Sequence, residues 1–191
     1  MSVHALYDAV FAHPGPWTED EYFALPETPA RIELVDGMLA VSPLSSVPHH
    51  RLVGQLTRLL QHTCPDRRWQ TLTGGHVRLW KNHIRNPDMI VARACHDVLY
   101  VPVQDVLLLV EVTSPGSFRQ DRIVKHTDYA EAGVPFYLRV DLHDGVDEVR
   151  ASAFELMDGA YREYATAPDG VLRLTRPWYV EADLRALVRG G

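Results

Sequence analysis

The feature that most constrains the fold is the segment from Val106 to Val112, seven residues long and apolar except for Glu111. It is β-branched at three places, which together with its short length favours a strand over a helix. A strand that is apolar on both faces belongs in the middle of a sheet covered on both sides. Because a carboxylate is costly to desolvate unless it is paired or binds a cation, Glu111 is also a candidate site residue.

The rest of the chain predicts an α/β protein with a mixed central sheet flanked by helices and with additional β-hairpins. Asp36-Gly37 and Asp158-Gly159 each join two strand-like segments, and a two-residue Asp-Gly connection is a strong hairpin signal. We interpret Gly74-Gly75 as a third hairpin turn. Predicted helices cover 18–25, 50–63, 118–132 and 181–188, and predicted strands cover 31–35, 38–41, 69–73, 76–81, 88–92, 106–112, 136–141, 149–156, 161–165 and 171–174.

Length and composition describe an ordinary globular protein. A chain of 191 residues with 46% apolar residues can bury one core, so we expect a single domain over 1–191. No apolar run approaches the roughly 18 residues that cross a bilayer, and the N-terminus does not resemble a signal peptide. The two cysteines are too few for a disulfide framework. We therefore expect a cytoplasmic protein without a membrane partner.

The formal charge of −6 argues against broad electrostatic attachment to nucleic acid, which depends on Lys and Arg neutralising phosphates. A local basic surface remains open, with a solvated face as the alternative. Its candidate residues are Arg67, Arg68, Arg78, Lys81, Arg85 and Arg93.

Two carboxylates at strand ends are the first sign of chemistry. Asp88 begins a strand directly after Pro87, and Glu111 ends the buried strand. Such a pair could hold Mg²⁺ or Mn²⁺, since these ions prefer oxygen ligands and activate a bound water against a phosphodiester. The alternative is structural: each acid pairs with an arginine or caps a loop.

Lys125 lies on the helix that follows the Glu111 strand, four residues after Asp121. One interpretation is an exposed ion pair across one helical turn, worth about 0.3–0.5 kcal/mol. The other turns this helical face toward the strand end, so that the Lys125 amine points at a metal-bound water. Histidine spacing does not suit zinc, and neither a G-x-S-x-G nucleophile nor a phosphate loop is present.

An ordered series of motifs resembles the Uma-type family of restriction-endonuclease-like proteins, in the PD-(D/E)XK nuclease superfamily. The match runs over roughly 18–145, leaving a C-terminal hairpin and helix at about 146–191. Its motifs are Glu33-Leu34-Val35-Asp36-Gly37, Ser42-Pro43 with His50, Pro87-Asp88, Glu111-Val112-Thr113-Ser114-Pro115, and Asp121, Lys125, Tyr129 and Gly133.

The resemblance implies a restriction-endonuclease-like core and Mg²⁺-dependent endonuclease activity on nucleic acid, with DNA favoured over RNA. Asp88 and Glu111 would be the metal ligands, and Glu33 an additional acid. The superfamily's lysine normally lies two residues after the Glu, where this chain has Thr113, so Lys125 is the candidate for a relocated lysine.

Other residues allow more than one interpretation. His50 could meet a phosphate or support the metal, or it could be a capping histidine. Thr113 and Asp121 are secondary site candidates. The alternative function is a catalytically inactive protein that retains the nuclease fold for binding or assembly, as fold alone does not fix function. The 149–165 hairpin could pair with a second copy in a homodimer.

Overall fold

The structure is a computed structural model that describes residues 13–26, 28, 30–42, 45–93, 98–113, 119–142 and 148–190, without the side chains of 119–122. Its helices are α1 (Glu19–Phe23), α2 (Val47–Thr63), α3 (Arg119–Glu131) and α4 (Leu184–Arg189). Its strands are β1 (Arg31–Val35), β2 (Met38–Ser42), β3 (Trp69–Thr73), β4 (Val77–Trp80), β5 (His83–Arg85), β6 (Met89–Arg93), β7 (Val101–Pro102), β8 (Val106–Thr113), β9 (Phe136–Leu142), β10 (Val149–Met157), β11 (Ala160–Ala167), β12 (Val171–Leu174) and β13 (Val180–Asp183).

The larger sheet has six strands in the order β11-β10-β9-β8-β6-β3. β8 lies inside it, antiparallel to β6 and parallel to β9, which confirms the prediction of a buried central strand. Successive side chains of a strand point to opposite faces. On one face Val110 packs in the same apolar cluster as Leu56 of α2, and on the other Leu109 packs in the same cluster as Tyr129 of α3.

Glu111 therefore shares the α3 face with Leu109. This is the face to which the side chains of Lys125 and Tyr129 are turned. The pleat of β8 thus places the one acidic residue of the apolar segment beneath a helix that can neutralise it.

A second sheet has five strands in the order β2-β1-β5-β4-β7. Its small core contains Tyr22 of α1 together with Ile32, Leu34 and Ile84. β1 contributes Arg31 and Glu33, and β5 contributes Arg85, to the site described below. A third sheet pairs β12 with β13.

Several local predictions are confirmed. Thr18 and Glu21 form the predicted capping box of α1, each side chain bonding the other residue's backbone N–H. Asp36 and Gly37 turn the β1–β2 hairpin at φ values of 49° and 82°. A Cβ on Gly37 would lie 2.9 Å from the Cβ of Pro16, so glycine is required there on steric grounds as well. The Asp158-Gly159 hairpin also forms, between β10 and β11.

The interpretation of Gly74-Gly75 as a hairpin turn is wrong. β3 belongs to the six-stranded sheet and β4 to the five-stranded sheet, so these glycines carry the chain from one to the other. Gly74 N–H donates to the carbonyl oxygen of Asp88 at 2.9 Å, which ends the β3–β6 pairing. The glycines predict a turn, but the choice of sheet depends on distant apolar contacts of β4.

Two further boundaries differ from prediction. Residues 180–183 form β13 instead of the start of a helix, because they pair with β12, and only 184–189 are helical. Helix α2 begins at Val47, before the predicted residue 50. The Ser46 side chain accepts from the His49 N–H at its N-terminus, and Pro48 is tolerated in the first turn, where its missing N–H has no intrahelical partner.

Among the residues that the structure describes, no helix combines the length and the apolar character needed to cross a membrane.

Candidate active site

Strand pairing brings the two predicted metal ligands together. In the antiparallel β6–β8 ladder Met89 lies opposite Val110, so the next position along places Asp88 beside Glu111. The N–H of Val112 donates to Asp88 Oδ2 at 2.7 Å and fixes that carboxylate at the end of β8. Both acids are nearly buried, with 7% of Asp88 and 5% of Glu111 exposed.

Glu33 reaches the same place from the other sheet. Leu34 of β1 pairs with Ile84 of β5, which sets Glu33 next to Arg85. Arg85 Nη1 donates to Glu33 Oε2 at 2.9 Å, and the N–H of Asn86 donates to Glu33 Oε1 at 2.9 Å. The third acid is thereby held rigidly by the two residues that precede Pro87-Asp88.

Lys125 connects these acids. Its Nζ lies 3.0 Å from Glu33 Oε1 and 3.2 Å from Glu111 Oε1. Tyr129, one helical turn further on, donates its hydroxyl to the same Glu111 oxygen at 2.7 Å. The helical face that carries Lys125 is therefore turned toward the strand end, and 5% of the residue is exposed. Its role at a metal-bound water stays a prediction.

Arg31 is a second cation of the site, and the sequence analysis missed it. Its Nη1 donates to Asp88 Oδ1 at 2.8 Å, and its Nη2 lies 3.5 Å from Glu111 Oε2. One guanidinium thus bridges the two predicted metal ligands. Arg31 precedes Glu33 by two residues on β1 and so shares its face, a signal that the sequence did contain.

His49, and not the predicted His50, contacts a site carboxylate: its Nε2 lies 3.3 Å from Asp88 Oδ2. His50 is exposed at the edge of a cavity of about 350 Å³ beside Asp88. That cavity is also lined by Arg31, His49, Asn86 and Gly74. The site is therefore open on the side of Asp88 and closed on the side of Lys125.

A layer of charged residues supports Glu33 from behind. Arg85 donates through Nε to Asp128 Oδ2 at 3.0 Å and also contacts it through Nη2. His83 Nε2 lies 3.1 Å from the same oxygen. Asp128 follows Lys125 by three residues on α3, so the helix supplies both a cation to Glu33 and an acid to its arginine partner.

These contacts shift the pKa of each acid. Burial favours the neutral form of Glu33, but Lys125, Arg85 and Arg31 outweigh it and lower the pKa of that carboxyl to about 2. The pKa of Asp88 is also lowered: burial opposes the anion, while His49, Arg31 and the Val112 N–H favour it. Burial raises the pKa of Glu111 despite Lys125 and Arg31, and the nearby charge of Asp88 adds to the increase.

The pKa values of two partners of these acids, Arg31 and Tyr129, are raised. Burial disfavours the charged guanidinium of Arg31, yet the carboxylates of Glu111, Asp88 and Glu33 raise its pKa. Burial next to Glu111 raises the pKa of the Tyr129 hydroxyl well above its ordinary value, so this group is a hydrogen-bond donor. Glu111 is therefore surrounded by groups that can each offer it a proton or a positive charge.

A family model named Uma2 and described as "Putative restriction endonuclease" matches residues 19–185. The chain belongs to the Uma2 family. The match confirms the resemblance read from the motifs and extends it beyond residue 145, through the C-terminal hairpin and into α4.

A solved structure has the same fold as this Uma2 chain. It is described as a putative nuclease of the DUF820 family from Anabaena variabilis, with a TM-score of 0.70 and 15% identity, covering 91% of this chain and 99% of the other. This likeness confirms the predicted nuclease-like mixed α/β fold. No curated protein matches the chain.

The donor set suits a hard cation in part. Within the described residues, no group of three or more His, Cys, Asp or Glu side chains is gathered as a metal cage. Asp88 and Glu111 do converge, and Mg²⁺ is commonly bound through one or two carboxylates, the remaining ligands being waters and substrate phosphates. A positive group already bridges this pair, the guanidinium of Arg31, which indicates that the pair favours a cation.

The two remaining secondary candidates do not join the cluster in the described contacts. Thr113 donates its hydroxyl to Asp141 Oδ1 at 2.5 Å, on the neighbouring strand β9. Asp121 lies in α3, but its side chain is outside the described part of the chain. The roles of Glu33, Asp88, Glu111 and Lys125 remain predictions that their geometry now makes specific.

The buried Glu33 predicts an acid-sensitive fold. Its folded pKa of about 2 lies below the ordinary value of 4.5, so its stabilising contribution is full above pH 4.5 and is lost as the pH falls toward 2. Between pH 6 and pH 3 this loss should reach about 2 kcal/mol of unfolding free energy. Urea unfolding at both pH values measures it.

In Glu33→Gln the acid-dependent loss should shrink by that amount, because the titrating group is gone. Glu163→Gln, an exposed glutamate on β11, is the matched control and should retain the loss seen in the unchanged protein. An equal pH dependence in all three proteins would contradict the charged state assigned to Glu33.

Proposed function

We propose that this Uma2-family chain is an endonuclease that hydrolyses phosphodiester bonds of DNA with the help of Mg²⁺ or Mn²⁺. The observation that carries the proposal is the convergence of Asp88 and Glu111 beside an open cavity, with the Lys125 amine 3.2 Å from Glu111. DNA is proposed over RNA because the family is described as one of restriction endonucleases.

In this proposal Asp88 and Glu111 hold the cation. The ion would polarise a phosphoryl oxygen and lower the pKa of a bound water, which makes that water a usable nucleophile. Lys125, fixed between Glu33 and Glu111, orients the attacking water through its amine. Glu33 assists directly or through water, and Arg85 and the Asn86 N–H hold its carboxylate in place.

Contacts on the buried side of the site fix the positions of these groups. Lys125, Tyr129 and Asp128 share one face of α3, so one rigid helix carries the amine, the hydroxyl that orients Glu111 and the acid that anchors Arg85. Preorganised donors of this kind lower a barrier because they need no reorientation during reaction. The substrate phosphate would enter from the side of the cavity, past His49 and His50.

The proposal extends to assembly and location. β11 is an edge strand of the six-stranded sheet, and an unpaired edge can add a strand of a second copy, which is the route we propose to a homodimer. A dimer would suit a substrate with two strands. We also propose a cytoplasmic location, because the chain has only two cysteines.

A catalytically inactive binding protein is the second candidate, and two observations favour it. Thr113 occupies the usual lysine position and bonds Asp141 instead of the acid cluster. The predicted basic surface is also reduced, because Arg85 is buried, Arg78 pairs with Glu19 and Arg68 pairs with Asp66.

Thermal melting with Mn²⁺ separates the two functions. A cation that binds only the folded protein stabilises it by about 2.7 kcal/mol at 100 times its dissociation constant, so the melting temperature should rise. The rise should accompany cleavage of plasmid DNA. In Asp141→Asn, which removes a buried carboxylate outside the proposed pair, the Mn²⁺-dependent rise should persist. If the unchanged protein shows no rise in melting temperature and no cleavage, the binding role is favoured.

A further inference from the structure

Arg31 occupies the position that a cation shared by Asp88 and Glu111 would need. Its two terminal nitrogens face one oxygen of each acid, at 2.8 and 3.5 Å. A divalent cation bridging the same oxygens would meet the guanidinium at short range and be repelled by it. Binding of the cation and the observed position of Arg31 therefore compete.

Arg31 is also the cation of the cluster that is best placed to leave. Lys125 and Arg85 have side-chain exposures of only 6% and 3%. The Arg31 side chain is 26% exposed and lines the cavity. Movement toward the cavity would expose it further to water without opening the apolar core.

The bond from Arg31 to Glu111 is incomplete. Among the residues that the structure describes, Arg31 Nη2 is buried and has no hydrogen-bond partner, although it lies 3.5 Å from the Glu111 carboxylate. Within the same part of the chain, His49 Nδ1 and Asn86 Oδ1 are also buried without a partner, and all three residues line the same cavity. Buried polar atoms are rarely left unpaired, so together they indicate a place for water or a polar ligand.

The charges around Asp88 and Glu111 also favour exchange of Arg31 for a divalent cation. Arg31 brings a single positive charge to the two carboxyl groups of Asp88 and Glu111, which His49 and Lys125 also contact. A divalent ion would bring two positive charges to the same pair. The released guanidinium would then favour an anion in the cavity, and arginine matches phosphate oxygens with two parallel donors.

We propose that Arg31 is an exchangeable counterion: it holds Asp88 and Glu111 until a divalent cation takes its place, and it then binds a backbone phosphate of the nucleic acid in the cavity. This inference rests on the proposed function, since it uses the same pair of metal ligands. It assigns Arg31 a role in ordering the two binding events, with the cation first and the phosphodiester second.

The test compares Arg31→Met, which keeps the apolar stem and removes the charge, with Arg173→Met. Arg173 is the control because it pairs with an acid outside the cluster, Glu181, on the third sheet. Isothermal titration with Mn²⁺ alone should show about tenfold tighter binding or more in Arg31→Met, as a unit charge near the ion is lost. Arg173→Met should stay within about twofold of the unchanged protein, because a screened charge outside the cluster contributes little.

The second measurement is binding of a short phosphorothioate oligodeoxynucleotide at saturating Mn²⁺. Arg31→Met should bind it about tenfold more weakly, because a charge-assisted contact to phosphate is lost. Mn²⁺ binding no tighter than in the unchanged protein would overturn the exchange. Unchanged oligonucleotide affinity would overturn the phosphate role and leave Arg31 as a fixed charge that only repels the ion.

Crystals of the unchanged protein soaked in Mn²⁺ keep the inference testable if Arg31→Met does not fold. Arg31 should have left Asp88 for the cavity, and a guanidinium still bridging Asp88 and Glu111 beside the bound ion would refute the exchange. If the unchanged protein binds Mn²⁺ and cleaves DNA while Arg31→Met binds no tighter, only this inference is wrong. If Mn²⁺ binds to neither protein, the metal-dependent function is wrong as well.

Discussion

Asp88→Asn should lower Mn²⁺-dependent cleavage of plasmid DNA by more than about 100-fold, since even residues that only support a metal ligand are worth 10–100-fold. The amide keeps the size of the side chain and one oxygen for the Val112 N–H. It removes the negative charge that would hold the cation and that now faces Arg31 at 2.8 Å. Initial rates of plasmid nicking, with the protein in excess, measure the loss.

Stability has to be followed in the same variant. Breaking a buried ion pair by removing one partner can cost about 3–5 kcal/mol, so a melting curve must show that Asp88→Asn is folded at the assay temperature. Asp141→Asn is the control, because Asp141 is also a buried carboxylate with an arginine partner, Arg139 of the same strand β9. Full cleavage by a folded Asp88→Asn would exclude Asp88 as a metal ligand.

The sequence predicted those elements of the fold whose signals are local. The central position of β8 follows from its two apolar faces, and the β1–β2 and β10–β11 hairpins follow from their Asp-Gly turns. The destination of β4 could not be predicted, because Gly74-Gly75 would serve a hairpin or a crossing between sheets equally well. Its pairing with β5 depends on where Val77 and Leu79 find apolar partners.

Some residues of the candidate site could likewise be recognised from the sequence, and others could not. Asp88 and Glu111 are recognisable because a carboxylate next to an apolar strand is expensive to bury. Arg31 and Arg85 were not recognised as site residues, because an arginine beside apolar residues is usually exposed. The pairing of β1 with β5 sets Arg85 against Glu33, and Arg31 of β1 contacts Asp88 and Glu111. His50 was a candidate to meet a phosphate or support the metal, with a capping histidine as the alternative, whereas His49 makes the contact with Asp88. A helix turns about 100° per residue, so its exact start decides which histidine faces Asp88.

Lys125→Met should have the second large effect, with cleavage lowered by about 100-fold or more and the fold destabilised by about 3–5 kcal/mol at neutral pH. Methionine fills much of the volume but leaves Glu33 and Glu111 without the amine that now lies 3.0 and 3.2 Å away. The pKa of both carboxyls should rise in the variant. Because neutral carboxyls do not need the amine, the stability deficit should narrow as the pH falls from 7 to 4.

The matched control is Lys81→Met, which removes the only other lysine of the chain, an exposed one. Its unfolding free energy should change by no more than about 0.5 kcal/mol, at either pH. A stability deficit in Lys125→Met that is equal at pH 7 and pH 4 would mean that lost packing causes it, and not the uncompensated charge of Glu33 and Glu111.

Lys125→Arg separates the charge of the side chain from the position of its amine. The variant keeps the charge and much of the stability, but it moves the donors away from the position of the amine. A folded Lys125→Arg that cleaves poorly would show that the position of the amine, and not its charge alone, serves the reaction.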